Sequence, residues 1–179
     1  NKMQWFAPYA GHVLLSPGHG LLVWTPLVLL CLVGLAVLVL TAPSRSTRRV
    51  ATCLGLMFAA QVYISGSIDS WTVAGSFGQR RFVGTTVILV IGMAAMLKLA
   101  TAQRSRVGLS LLLGGCVWWN LGLMAQFGSG MMDRQRLEPA RNAYNTFVTV
   151  PRALPRLAQR YLFDRSSFYE EPERYAEPE

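Results

Sequence analysis

LLVWTPLVLLCLVGLAVLVLT, residues 21–41, carries no charged side chain. About 20 helical residues are what a hydrocarbon layer about 30 Å thick requires. Pro26 lies near the start of the run, where a helix tolerates proline best. Ala42, Pro43 and Ser44 end it ahead of Arg45, Arg48 and Arg49. Three more stretches read alike: 50–68, 82–100 with Lys98 near enough to the end to snorkel outward, and 107–132, long enough to tilt. The whole chain is 52% hydrophobic and 15% charged, against about 25% charged for a soluble domain. These segments do not alternate apolar and polar residues, which argues against a β-barrel. The expected fold is therefore an all-α integral membrane protein with four transmembrane helices, 21–41, 50–68, 82–100 and 107–132.

Residues 1–20 are broken by Pro8, Pro17 and glycines and carry Trp5, Phe6 and Tyr9, so they read as an interfacial segment. The first residues lack the regions of a signal peptide and no initiator methionine precedes Asn1, so more chain is expected upstream. The connections 42–49 and 98–106 hold Arg45, Arg48, Arg49, Lys98, Arg104 and Arg106 and no acid, as cytoplasmic loops do. That places both termini on the periplasmic side of a bacterial inner membrane. Lys2, Arg80, Arg81, Arg134, Arg136 and Arg141 weigh against this orientation from the other side.

The formal net charge of +8 is spread over short connections and a tail. It suits membrane topology and lipid phosphates, so nucleic acid is not an expected partner. Cys31, Cys53 and Cys116 lie singly inside apolar runs, the pattern of buried free thiols and not of a metal site. His12 and His19 both precede the first span and read as turn or interface residues. The sequence contains no HExxH, phosphate-binding loop, nucleotide fingerprint or Ser/His/Asp set. Glycines at 114, 115, 122, 128 and 130 make the fourth span a candidate close-packing surface.

From Asp133 onward acids and bases mix, which marks 133–179 as an extramembrane tail. Two short helices are expected there, one opened by Pro139 and ended by Pro151, the other starting near Pro155, followed by an acidic end, EEPERYAEPE, either unstructured or held only by a partner. In the second, Leu154, Leu157 and Tyr161 follow helical spacing while Arg152, Arg156 and Arg160 recur on another face. Such a helix suits either lipid headgroups or a neighbouring protein. Leu154, Leu157, Tyr161 and Phe163 with the three arginines are the expected partner contact.

The most chemically suggestive stretch is SGSIDSWTVAGSFGQRRF, residues 65–82. Arg80 and Arg81 fall where the third span meets water, and paired guanidinium groups suit a lipid phosphate or pyrophosphate. The plainer reading has them mark the membrane edge, one pairing with Asp69. Asp69 itself is read as a span-end cap or an arginine partner sooner than as an acid-base catalyst.

SPGHGLLVWTPLVLL at 16–30, WTVAGSFGQRRF at 71–82, WNLGLMAQFGSG at 119–130 and YLFDRSSF at 161–168 together resemble the C-terminal half of bacterial GT-C-type membrane glycosyltransferases, relatives of the protein mannosyltransferases. The resemblance implies sugar transfer from a polyprenyl-phosphate carrier on the outer face of the membrane, with basic residues at the boundary binding carrier phosphate. Arg80 and Arg81 match the motif for that role. The family's catalytic acid lies in a large outward loop near the start of the protein, and here no Asp or Glu precedes Asp69, so no catalytic residue is carried over. Two functions are therefore expected. The first is a non-catalytic membrane subunit that stabilises a larger complex. The second is the carrier-binding C-terminal half of a glycosyltransferase. No metal or cofactor is expected beyond bound lipid or polyprenyl phosphate, with membrane lipids and other subunits as partners.

Overall fold

The computed structural model describes residues 3–6, 8–73, 76–100 and 102–165. The expected acidic end of the tail lies outside them. The described chain is helical, and its one β pairing is an isolated antiparallel bridge between Met3 and Ile68.

The first apolar run does not form one helix. It splits into α2 (Leu21–Trp24) and α3 (Leu27–Thr41), with Thr25 out of helical geometry at φ −132° and ψ 75°. The cause is Pro26, whose ring disfavours the α region for the residue before it. With 15 residues, α3 is roughly 22 Å long at 1.5 Å per residue, short of a full crossing.

The second helix, α4 (Arg45–Gly66), starts five residues before its apolar stretch. Ser44 caps it, accepting the Ser46 N–H at 3.2 Å, so the arginines expected in a loop occupy its first turns. Those arginines, with Gln61 further on, make it less apolar than its neighbours. The third begins as a 3-10 segment, Arg80–Thr85, and continues as α5 (Thr86–Leu99). The fourth, α6 (Gln103–Ser129), ends at Gly130 in the left-handed region, φ +74°, with the Met131 N–H closing onto Gln126 O at 2.9 Å. Of the four expected spans, Arg80–Leu99 and Gln103–Ser129 are long and apolar enough to cross a membrane.

α3 and α5 pack so closely that a Cβ on Gly34 would strike the Gly92 carbonyl, and one on Gly92 the Cys31 carbonyl. Small residues let helix backbones approach in this way. In α6 only part of the expected glycine surface is used: Gly122 lies against Thr146, whereas Gly114, Gly115 and Gly128 face open space.

Residues 1–20 are more than an interfacial strip. A short helix, α1 (Ala10–Leu15), packs on the end of α4, where a Cβ on Gly66 would meet the Ala10 backbone. The Tyr9 N–H bonds Gly66 O at 2.8 Å, and Gln4 N–H bonds Ser67 O at 2.6 Å. Val13 is fully buried against Leu21, Val62 and Phe82.

The tail carries two α-helices, but they join without a break before Pro151 and are not parted between Pro151 and Pro155. α7 (Pro139–Tyr144) passes through a π turn, Asn145–Thr149, into α8 (Val150–Phe163). The π turn shifts the hydrogen-bond register, so Pro151 falls in the first turn of a restarted helix, where its missing N–H is tolerated. Pro155 then lies inside α8.

Candidate functional site

Three motif-bearing segments meet at one end of the helices. The turn at 16–20 is drawn tight, with Ser16 Oγ accepting Gly18 N–H at 3.1 Å and Ser16 O accepting Gly20 N–H at 2.7 Å. Gly20 allows this closeness, since a Cβ there would collide with the Ser16 backbone. The turn buries His19 completely and stacks it on Trp24, with centroids 5.3 Å apart and planes at 19°. Trp24 meets Phe77 edge-on at 5.4 Å, Phe77 meets Phe127 edge-on at 5.4 Å, and the Arg134 guanidinium lies 5.5 Å from the Phe127 centroid. This aromatic column joins SPGHG, SFG and AQFG, contributed by three distant parts of the chain.

Hydrogen bonds fix the same junction. Trp24 Nε1 donates to Pro17 O at 3.3 Å, Leu137 N–H donates to Pro17 O at 2.9 Å, and Asn120 Nδ2 donates to Trp24 O at 3.3 Å. Among the described residues several buried polar atoms lack a hydrogen bond of ordinary geometry: both ring nitrogens of His19, Ser76 Oγ, Gln79 Oε1 and Trp119 Nε1. Burial pushes the His19 pKa below its ordinary 6.5, and the Gln135 side chain and the Asp133 charge oppose that shift without reversing it.

Arg80 and Arg81 have different surroundings. Arg81 Nη1 donates to Ser65 O at 3.3 Å, and its Nη2 donates to Ser70 O at 2.9 Å and Ser70 Oγ at 3.2 Å. Gln61 Nε2 donates to Arg81 O at 3.1 Å. Arg81 thus ties the end of α4 to the loop after it, whereas Arg80 is exposed. Asp69 accepts from Gln4 Nε2 at 2.9 Å, so its partner among the described residues is an amide and not an arginine.

The tail residues divide as well. Leu154, Leu157 and Tyr161 line a groove against α6, opposite Met124 and Phe127, with Arg134 and Arg165 also in its wall. Phe163 does not line this groove and is 83% exposed. Arg152 and Arg156 are exposed and Arg160 is half-buried.

A second polar feature was not expected. Gln126, Asn142 and Thr146 are buried together between α6 and the tail. Gln126 Nε2 donates to Thr146 Oγ1 at 2.9 Å and to Asn142 O at 3.2 Å, Asn142 Nδ2 returns a bond to Gln126 Oε1 at 3.0 Å, and Asn142 Oδ1 accepts Glu138 N–H at 2.6 Å. A lone glutamine in an apolar run, with Asn and Thr four residues apart in the tail, was the available signal. Among the described residues no group of three or more His, Cys, Asp or Glu side chains is placed to hold a metal ion. No family model, curated protein or solved structure matches the chain.

Proposed function

We propose that this chain is a non-catalytic integral membrane subunit that packs against a larger complex, its four spans being α2–α3, α4, the 3-10 segment with α5, and α6. The observation that carries this reading is apolar surface left without cover. Only 22% of the apolar window in Arg80–Leu99 and 17% of that in Gln103–Ser129 is buried within the chain, whereas the core helix of a water-soluble domain is mostly buried. Val87, Val90, Leu111, Leu112 and Leu121 point outward along these helices, as lipid or a neighbouring helix requires. Beyond the spans, Leu162 and Phe163 at the end of α8 are uncovered too, and exposed apolar patches mark contact surfaces. The setting is a bacterial inner membrane with both termini in the periplasm.

Deleting residues 151–179 tests the subunit role. The shortened chain should keep its helical circular dichroism yet fail to co-purify with its complex. Retention at wild-type stoichiometry would place the attachment on the spans.

The second reading, the carrier-binding half of a GT-C-type glycosyltransferase, is favoured by the meeting of SPGHG, SFG and AQFG in one aromatic column, with exposed Arg80 three residues after Phe77. Binding of polyprenyl phosphate that Arg80→Ala weakens would support it over the subunit role.

A further inference from the structure

We propose that the groove between α6 and α8 seats an anionic phospholipid of the surrounding bilayer, its phosphate at Arg134 and Arg165 and an acyl chain along Met124, Leu154 and Leu157. The inference rests on the membrane placement proposed above. The groove has a volume of about 660 Å³, within the range of small-ligand sites. Its wall is apolar apart from Ser129, the Tyr161 hydroxyl and the two guanidinium groups, and among the described residues no carboxylate lines it. Asp133, next in sequence to Arg134, instead accepts the Gln135 N–H at 2.8 Å.

Both arginines rest on aromatic rings of the groove. Arg134 lies 5.5 Å from the Phe127 centroid and Arg165 lies 4.4 Å from that of Tyr161. Stacking holds a guanidinium plane while leaving its N–H edge available. Among the described residues Arg165 donates through Nε alone, to Tyr161 O at 3.1 Å. Among the described residues Arg134 makes no hydrogen bond. Phosphate oxygens accept paired N–H donors of this kind. The apolar wall continues along α8 from Leu154 to Tyr161, roughly two turns, so the complementary ligand has a chain as well as a charge.

The full chain, purified in detergent, would be mixed with equal amounts of phosphatidylglycerol and phosphatidylcholine and examined by native mass spectrometry. Retention of phosphatidylglycerol should exceed that of phosphatidylcholine by about tenfold, and the double variant R134A/R165A should lose that preference. Leu157→Trp, which fills the groove, should lower retention of both lipids with helical circular dichroism unchanged, and it carries the test if the double variant does not fold. Equal retention of the two lipids by the wild type, or unchanged preference in a folded double variant, would overturn the proposal. Displacement by inorganic phosphate would reduce the groove to a free-anion site, and preferential uptake of polyprenyl phosphate would replace the lipid named here. A chain that stays monomeric without detergent would sink the membrane reading itself, which separates that failure from this one.

Discussion

His19 is a titratable ring sealed between a tight turn and Trp24. Its folded-state pKa lies below the ordinary 6.5 because burial disfavours the charged ring. An unfolded chain therefore takes up the proton first as pH falls, and stability present above pH 6.5 is lost as pH drops toward the folded value. Thermal melts should move down between about pH 7.5 and about pH 5.5, and His19→Phe, which keeps the stack and cannot titrate, should flatten that response. An unchanged slope in the variant would assign the effect to another group. Arg81 supplies a second test at this scale. Its bonds to Ser65 and Ser70 predict that Arg81→Ala destabilises the protein by about 1–2 kcal/mol, while exposed Arg80→Ala leaves the melting temperature in place. The sequence marked both arginines as a pair at a boundary. It did not reveal that one is consumed internally, because Ser65 and Ser70 reach Arg81 only after the loop has closed on α4.

Elements were legible where apolar length decided them. α5 and α6 fall within the expected runs to a few residues, since long uncharged segments leave helix as the economical way to satisfy the backbone in apolar surroundings. Reading failed where proline acted through its neighbours. Pro26 splits a run that looked continuous, and Pro151 fails to stop the tail helix because a π turn resets the register before it. The join between α6 and the tail was hidden for another reason: a single Gln in an apolar run is ambiguous until its partners are known. Gln126→Leu should leave the Asn142 amide without its buried partner, at a cost of about 1–3 kcal/mol. Hydrogen exchange should then quicken across 139–163 while α3 and α5 stay protected. Gly122→Val should do the same by pushing Thr146 away, and unaltered exchange in both variants would show that the tail is held elsewhere.

At the scale of the whole molecule, the four crossings proposed above leave three between Ser46 and Ala140, which would put these residues on opposite sides. With Cys31, Cys53 and Cys116 replaced by Ser, an impermeant thiol reagent applied to spheroplasts should modify Ala140→Cys and spare Ser46→Cys. Modification of both from one side would break the four-span arrangement. The apolar segregation behind that topology was plain in the sequence. The joining of distant motifs into one aromatic column was not, since no local pattern states which loops will meet. The contact between α6 and the tail has a further practical meaning. Its three buried side chains, Gln126, Asn142 and Thr146, are all uncharged, so nothing in that lock titrates and little of it is screened by ions. The high-salt and alkaline carbonate washes that strip peripherally held segments should therefore leave the tail in place, while urea, which competes for amide hydrogen bonds, should release it at concentrations that spare α3 and α5.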